Sequence, residues 1–567
     1  MNTNRNFLLL LAVWLVLQGL TASALFAGGD FYQNARQIKN QLFEGPDHKC
    51  GFPVVLEASN PQNKWLHREF KAWQALQVEW NTFYVSPSGH FKIYYDTLGY
   101  RAVPDYDRNH DGFPDYVDFV AKSFDRAWQV EIDSLGFNPP PDVEGNPRQV
   151  YPVYCQPLSV YGSTILDSVI SETFNPHRVR YETNIQISTY FDAQYPGISD
   201  PVVRDSMAIA VTAAHEFNHA LQVGYALWPD NSGFFYDIWF IESSATYMEE
   251  VVADGVNDYL QYLPSYFRAT DEPLDRSTGG LSDYGKVVIE IMLGKMYGKD
   301  ITRRIWTQIR NQRALPAVET VLDGLGSDIF AELSRLCGWL FFVGDRSVGN
   351  KFFPDAPFFA SYGDIDFRTG EPLQATRNEL IADSLPRLSF RWYKSDVADT
   401  IPMSFLLRAG EGGYPQNLSS LYINAGQSDY FNVNSTVNFR YPDKLLPQGI
   451  YYSVVNGTDA GEGKFYYQLL AEPEHFVKAD DVIVYPQPFR LADSQNTIKF
   501  ENIPKGSEIY IFSSNGRYLQ TLRNDSGINT EQWDLKTHLG EVVGSGVYVY
   551  IIKSKDFEKK GKLVVIR

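Results

Sequence analysis

The chain has 567 residues, which at roughly 150 residues per domain corresponds to about four folding units. Hydrophobic residues make up 44% and charged residues 21%, a globular composition that excludes wholesale disorder and collagen-like order. The net charge of −18 would repel a phosphate backbone, so we expect no nucleic-acid partner.

The first residues follow the pattern of a secretory signal peptide. Arg5 precedes an apolar run from Phe7 to Leu20, and Ala22-Ser23-Ala24 follows it. The run of about 14 apolar residues is shorter than the ~20 that span a bilayer. We therefore predict that residues 1–24 direct export and are removed, and that the mature chain has no transmembrane segment.

Residues 25–81 form a polar N-terminal extension and a candidate propeptide. Within it, the apolar spacing of residues 64–79 predicts a helix. The alternating residues Phe91 to Tyr95 then predict a strand. From 82 to about 375 the pattern mixes helices with a few strands, which predicts one α+β domain.

A candidate calcium loop lies early in that domain. Oxygen-bearing side chains occupy loop positions 1, 3, 5, 9 and 12, with Gly112 at the sharp turn. This spacing resembles an EF-hand-like loop, in which position 7 contributes a backbone carbonyl. The predicted Ca²⁺ ligands are Asp107, Asn109, Asp111, Phe113, Asp115 and Asp118. An acidic turn without metal is the alternative.

A motif with metal-ligand spacing lies in residues 207–227, whose small and apolar residues predict a buried helix. His215 and His219 are one turn apart, so both imidazoles leave the same helix face and can reach one ion. Glu216 is placed to contact a water on that ion. With nine histidines in the chain, about 0.01 chance matches to His-Glu-x-x-His are expected, which favours a zinc site over two core histidines.

A catalytic zinc site takes three protein ligands and keeps one position open. Glu242 follows His219 by 23 residues, enough for a loop and the first turn of a second helix. Glu249 and Glu250 are rival third ligands, but they lie about two turns further along the same helix. We therefore predict Glu242 as the third ligand.

The segments from His215 to Gln222 and from Trp239 to Ala245 resemble the two motif helices of gluzincin metallopeptidases, in particular secreted bacterial members. The resemblance implies a zincin-like domain and a protein or peptide substrate. Thr246 stands where thermolysin-like members have a carboxylate that supports a ligand histidine, so the sequence leaves that partner open. A metzincin is disfavoured because Gly and His are missing at the required offsets, and no amine-recognition motif of an aminopeptidase is present.

The expected chemistry is hydrolysis of a peptide bond by a zinc-bound water, with Glu216 as general base and proton donor to the leaving amine. The developing oxyanion needs a second donor besides zinc. Tyr284, at the head of another apolar helix, is the candidate. Its alternative role is that of an ordinary aromatic core residue.

Three cysteines allow at most one disulfide. For an exported protein we predict a Cys50–Cys155 bridge and a buried free thiol at Cys337. A sharper alternative places Cys50 on the zinc, which resembles the cysteine switch of matrix metallopeptidases. The Arg and Asp that flank that motif are missing here.

The C-terminal part reads as two β-sandwiches, at residues 376–475 and 480–567, because short strands alternate with Gly and Asn turns. The second contains Tyr485-Pro486-Gln487-Pro488-Phe489, an Asn515-Gly516 turn, Trp533-Asp534 and a basic last strand. These motifs resemble the type A sorting domain of cargo for the bacterial type IX secretion system, although Gln487 replaces the usual Asn. The resemblance implies recognition by the secretion machinery and passage across the outer membrane.

The sequence thus predicts an α+β protein, a zincin-like catalytic domain followed by two β-sandwich domains. We expect a secreted or surface-attached zinc metalloendopeptidase with a structural calcium. The alternative is a non-catalytic surface adhesin or glycan-binding protein whose metals only hold the fold.

Overall fold

A computed structural model gives the architecture. It describes residues 49–74, 79–191, 195, 197–277, 280–359, 363–370, 373, 379–397, 403–409, 418–424, 427–434, 438–440, 449–459, 464–473, 482–490, 497–503, 506–524, 530–554 and 558–566. The predicted signal peptide and residues 25–48 that follow it lie outside the described residues. The chain divides into two compact units. The first takes in residues up to 269, 275–328 and 352–364, and the second takes in residues 270–274, 329–351 and 365–567.

A five-stranded mixed sheet lies in the first unit, with strand order β1-β2-β3-β5-β4. The parallel pairs are β2 with β3 and β3 with β5, whereas β1 and β4 run antiparallel to their neighbours. Strand β4 therefore forms one edge of the sheet. The strands are β1 Thr82–Val85, β2 Phe91–Tyr95, β3 Tyr151–Cys155, β4 Gly162–Phe174 and β5 His177–Ile187.

The helices of the first unit include two long buried ones that carry the candidate site, α4 and α5. Helix α3 continues into a π-helical turn at Trp128–Ser134, and a 3₁₀ turn covers Asp258–Tyr262. The helices are α1 Phe52–Ser59, α2 Lys64–Gln74, α3 Asp115–Ala127, α4 Pro201–Tyr225, α5 Ile238–Ala253, α6 Leu263–Phe267, α7 Leu281–Gly285, α8 Val287–Tyr297, α9 Ile301–Ile309, α10 Ala314–Asp323 and, after α11 of the second unit, α12 Ala356–Phe359.

Helix α4 begins earlier than the predicted 207–227. The Asp200 side chain accepts a hydrogen bond from the Val202 N–H, and Pro201 occupies the first helical position. Both features stabilise a helix start, because they satisfy or avoid unpaired N–H groups. From Ala208 to Val223 nearly every side chain is buried, so the helix runs through the core beside β4 and β5.

The residues just before the sheet belong to the same core. The side chains of Phe52, Val55 and Leu56 on α1 are almost completely buried, and the helix packs against β4. Full burial of each such side chain contributes about 1.5–3 kcal/mol. The start of α1 is therefore an integral part of the first unit in this structure.

In the second unit, helix α11 (Ile329–Phe341) accompanies a first pair of sheets. The Cys337 thiol lies 3.2 Å from the Ser453 hydroxyl. One sheet has the order β11-β10-β13-β8-β6 and the other β12-β9-β14-β7. The strands are β6 Phe367–Thr369, β7 Glu379–Pro386, β8 Ser389–Ser395, β9 Met403–Ala409, β10 Leu418–Asn424, β11 Phe431–Asn434, β12 Asn438–Arg440, β13 Ile450–Asn456 and β14 Lys464–Pro473.

The last strands form a second pair of sheets around a separate apolar core that includes Trp533 and Ile552. One sheet has the order β15-β17-β20, the other β16-β22-β21-β18-β19. The strands are β15 Ile483–Tyr485, β16 Phe489–Arg490, β17 Ile498–Glu501, β18 Glu508–Ser513, β19 Tyr518–Arg523, β20 Thr530–Trp533, β21 Gly546–Lys553 and β22 Glu558–Ile566.

The mixed α+β class and the two sandwich-like regions are thus confirmed. Three parts of the predicted range 82–375 belong to the second unit, namely residues 270–274, residues 329–351 with α11, which packs on β10 and β13, and residues from 365 onward. In the part of the chain that the structure describes, no helix is long and apolar enough to cross a membrane.

Candidate functional site

His215 and His219 lie one turn apart on α4, and their rings face each other. Their Nε2 atoms are 3.0 Å apart. Both side chains are buried, with at most 1% of their surface exposed. The helix spacing alone therefore brings two imidazole nitrogens to one point, as the sequence predicts.

Each imidazole is held from its other nitrogen. His215 Nδ1 lies 2.7 Å from Glu249 Oε1, and His219 Nδ1 lies 2.8 Å from Gln222 Oε1. Because both partner oxygens are acceptors, Nδ1 is the donor on each ring, and in the neutral imidazole Nε2 carries the lone pair. Gln222 is itself fixed, since its Nε2 donates to Asn218 Oδ1 at 2.6 Å. Two lone pairs that face each other at this distance suit a shared cation.

Glu242 completes a cluster with the two histidines. Its carboxylate oxygens lie 3.3 Å from His215 Nε2 and 3.5 Å from His219 Nε2. Both oxygens are buried and have no hydrogen-bond donor within the described residues. Buried acceptors normally find a partner, so this pair of oxygens fits a metal position.

The rival ligands point elsewhere. Glu249 contacts the outer nitrogen of His215, and Glu250 lies beside Asp254 and Asp355. Burial, together with those two carboxyls, raises the pKa of Glu250 to about 9. Glu249 therefore occupies the supporting position that the sequence left open, seven residues after Glu242 on the same helix.

Cys50 is the fourth member of the cluster. One ligand atom each from Cys50, His215, His219 and Glu242 lie within 4.8 Å of one another, and all four residues are buried. Within the described ranges this is the one group of three or more His, Cys, Asp and Glu residues that is so arranged.

The predicted Cys50–Cys155 disulfide is wrong, because both sulfurs are free, as is the buried Cys337. The backbone of Cys50 forms a β-bridge with Gly162 at the start of β4. Its sulfur lies with the histidine cluster. Cys155 ends β3 inside the sheet and is fully buried.

Glu216 lies beside this cluster on α4, also buried. The Thr164 hydroxyl is 2.8 Å from Glu216 Oε2, which orients the carboxylate from β4. Gly162 permits the close approach of strand and helix, since a Cβ there would lie 2.7 Å from Thr212 Cγ2 and 2.9 Å from Glu216 Cγ. A carboxylate so placed can accept a proton from a water near the histidines.

Tyr284, on α7, reaches the same place. Its ring centre is 6.0 Å from that of His215, and its hydroxyl oxygen accepts a hydrogen bond from the Cys50 N–H at 3.4 Å. Burial, with the charges of Glu242 and Cys50 next, raises the pKa of Tyr284 well above its usual range. The phenol is therefore a neutral hydrogen-bond donor at ordinary pH.

The charges of the cluster are mutually adjusted. Burial alone would disfavour the charged forms of both Glu242 and His215. The neighbouring histidines nevertheless lower the pKa of Glu242 to about 2. The carboxylates of Glu242 and Glu249 raise the pKa of His215 to about 9 against the opposing effect of burial. The pocket is thus electrostatically suited to positive charge.

Lys49 enters the same region, and sequence reasoning missed it. Its ammonium group donates to Asp258 Oδ2 at 2.6 Å and to Glu249 Oε2, and it lies over the rings of Tyr161 and Tyr262. Lys49 is 200 residues from Glu249 in the chain. No local pattern signals such a pair.

The predicted calcium loop forms an exposed turn before α3. Its side chains largely bond to the loop itself. Asp107 Oδ2 accepts from the Gly112 N–H at 3.1 Å, and Asp111 Oδ1 from the Phe113 N–H at 2.9 Å. Asn109 Nδ2 donates to Asp118 Oδ2 at 3.1 Å, and Asp115 Oδ2 accepts from the backbone of residue 108. The calcium site stays a prediction.

Comparisons with known proteins assign no family. No family model matches the sequence, and no curated protein matches it. Among solved structures, PorZ, an essential surface component of the type IX secretion system of Porphyromonas gingivalis, is 23% identical over 20% of this chain, with a TM-score of 0.15. Latent PorU from the same bacterium is 14% identical over 36% of this chain, with a TM-score of 0.13. The adhesin domain of Epf from Streptococcus pyogenes is 12% identical over 33% of this chain, also with a TM-score of 0.13.

The chain spans 14% of the PorZ chain, 19% of PorU and 78% of the Epf domain. TM-scores of this size describe local likeness of parts, and no functional argument is built on them.

Proposed function

We propose that the protein is a secreted zinc-dependent endopeptidase with a zincin-like catalytic domain. The observation that carries the proposal is the convergence of His215 Nε2, His219 Nε2 and the donor-free carboxylate of Glu242 beside the Glu216 carboxylate. Two imidazoles and one carboxylate are a zinc donor set typical of hydrolases. A separate base has no purpose in a purely structural site.

When bound, zinc would supply Lewis acidity that polarises a carbonyl and makes water a better nucleophile. His215, His219 and Glu242 would hold it. Glu249 and Gln222 keep both Nδ1 atoms protonated, so that each Nε2 stays available.

Glu216 acts as the proton carrier. Its carboxylate accepts a proton from the attacking water and delivers it to the leaving amine. Thr164 holds the carboxylate in place from β4. Tyr284, protonated over the ordinary pH range, can donate a hydrogen bond to the oxyanion that develops on the scissile carbonyl.

One observation favours a second candidate. Cys50 could provide a fourth protein ligand, and structural zinc sites are usually closed by four protein ligands. A surface adhesin or glycan-binding protein with a closed metal site is therefore the alternative. The two candidates differ in whether the Glu216 carboxylate is needed for any activity.

The test uses a variant of the chain that a specific protease can cut at one position. A recognition sequence for a specific protease is inserted between Pro61 and Gln62, in the exposed turn between α1 and α2; this is the cleavable chain. After the cut, the cleavable chain and its E216Q variant are loaded with zinc and given denatured casein. We expect equal zinc content and a rate lower by about 10²–10⁴-fold in E216Q. Equal rates, or no hydrolysis by either protein once the cut N-terminal piece has been removed, would exclude the endopeptidase.

We further propose that residues 480–567 serve as a type IX sorting domain. The support is the set of sequence motifs around Pro486, Asn515 and Trp533, placed on a sandwich-like fold. Fusing residues 480–567 to a periplasmic reporter, in a bacterium with a type IX system, should move the reporter outside the cell. A fusion with residues 376–475 is the matched control, and export of both or neither would contradict the proposal.

A further inference from the structure

We propose that residues 49–60 are an inhibitory segment, in which the Cys50 sulfur takes the fourth position around the metal and keeps the enzyme latent. The inference rests on the proposed function for its consequence, but its geometry stands on its own. It explains why every group needed for hydrolysis is buried in this structure.

The first step is the position of the sulfur. Cys50 lies with His215, His219 and Glu242 inside a sphere that one ion can fill. The Phe52 N–H donates to Cys50 Sγ at 3.2 Å, which holds the sulfur in place at the start of α1. On binding zinc, the thiol would release its proton to solvent and form a metal–sulfur bond.

The second step is the backbone around Cys50. The Gly51 N–H donates to the Gly162 carbonyl at 2.9 Å, and the Tyr161 N–H donates to the Lys49 carbonyl at 3.0 Å. The segment thus pairs with the edge of the sheet at the first residue of β4, through one isolated bridge between Cys50 and Gly162. An extended peptide would gain its backbone hydrogen bonds from such an edge, so segment and substrate compete for one place.

The third step is the anchor next to Cys50. The Lys49 ammonium group is buried between Glu249 and Asp258, where it places a positive charge between two buried carboxylates. Glu249 also supports His215. Lys49 therefore ties the segment to the same residue that orients a candidate metal ligand.

The fourth step is the way in which the segment buries the candidate site. The Phe52 ring stacks on His219 with ring centres 4.5 Å apart, and Phe52 itself is fully buried. Cys50, Glu216 and Glu242 are each only 1% exposed. No peptide reaches these groups while the segment is in place.

The segment is also separable from the machinery that it covers. It ends at Asn60, before the exposed residues Pro61 and Gln62. All sheet strands and both site helices come after Thr82. A cut in that turn therefore leaves the candidate metal ligands of α4 and α5 on one continuous chain.

The test is spectroscopic and uses the cleavable chain loaded with Co²⁺ in place of zinc. A cobalt–thiolate bond absorbs in the near ultraviolet. We expect this band in the uncut chain and in C155S, which removes another buried thiol of the same unit, and we expect it to be absent from C50S although C50S still binds one ion. After the cut and gel filtration, the band should disappear while the metal remains.

Each outcome decides a different point. Absence of the band in the uncut chain, or its persistence after the cut, overturns the inhibitory segment. Loss of the band on cutting, with casein hydrolysis appearing in parallel, supports both the segment and the peptidase. Loss of the band with no hydrolysis keeps the Cys50 ligation and overturns the proposed peptidase.

Alkylation gives a second measurement that needs no enzymatic activity. Chelation of the metal should increase alkylation of Cys50 at least several-fold, located by mass spectrometry, with Cys155 and Cys337 unchanged. K49M should increase it in the metal-loaded protein too, because the anchor is gone, whereas K71M on the exposed face of α2 should not. Equal alkylation of Cys50 with and without metal would contradict the proposal.

Discussion

The histidine cluster on α4 and the acidic loop before α3 are two candidate metal sites with opposite construction. In the cluster, the Glu242 oxygens are buried and lack donors within the described residues. In the loop, Asp111 is exposed and Asp107 partly exposed, and one oxygen of each accepts a hydrogen bond from loop backbone, although Asp107 Oδ1 is also buried without a donor within the described residues. A buried carboxylate with no donor on either oxygen suits a cation more specifically than oxygen spacing alone does, since an exposed carboxylate can be satisfied by water and backbone.

The largest expected effect is the loss of the buried site in H219A. Removing one imidazole leaves His215, Glu242 and, in the uncut chain, Cys50 as candidate ligands, so zinc affinity should fall far enough for a competing chelator to remove the ion. At a zinc concentration of 100 times Kd, the wild type gains about 2.7 kcal/mol of stability that H219A should lack. Metal analysis and urea unfolding with and without zinc measure both quantities. H177A, at the partly exposed start of β5, is the control; an H219A protein that keeps its zinc would break the comparison.

A smaller effect is expected from E249Q, which touches His215 but not the metal position. Supporting carboxylates of ligating histidines typically contribute about 10–100-fold to metal affinity. A competitive chelator titration should therefore show affinity reduced by that factor. E250Q is the matched neighbour, and it should change little, because the raised pKa of about 9 already keeps Glu250 neutral at pH 7. Equal losses in the two variants would contradict a specific support of His215 by Glu249.

The smallest effect is expected at the loop. Calcium at ten times its Kd would add about 1.4 kcal/mol of stability, and D111N should reduce that gain. D105N, just before the loop and exposed, is the control. Unfolding curves with calcium and with chelator measure it. If calcium leaves the unfolding midpoint of the wild type unchanged, the loop is an acidic turn and the contrast between the two sites becomes complete.

Local spacing made part of the site predictable. His215 and His219 share a helix face because of the period of the α-helix, and Glu242 follows at a distance that one loop allows. The position of Gln222 was predictable from the same helical spacing, because it lies three residues after His219 on α4. Likewise, alternation and turn residues predicted strands such as β2 and β13, because the pattern depends on a few adjacent residues.

The long-range contacts escaped prediction. Lys49 and Asp258 form an ion pair although 209 residues separate them in the chain. Neither composition nor local pattern predicts such a buried pair. The cysteine count allowed a Cys50–Cys155 bridge but carried no information on where either sulfur lies. Similarly, the start of α4 moved to Pro201 because an Asp200 cap, outside the apolar run, sets it.

Gly162 has a consequence that reaches beyond its own strand. A single added methyl group there would meet Thr212 and the Glu216 stem at less than 3 Å, while the imidazoles of His215 and His219 would be untouched. The smallest residue of β4 thus sets how near Glu216 lies to the sheet, and an alanine at this position would test the proposed catalytic role of Glu216 separately from the proposed metal binding.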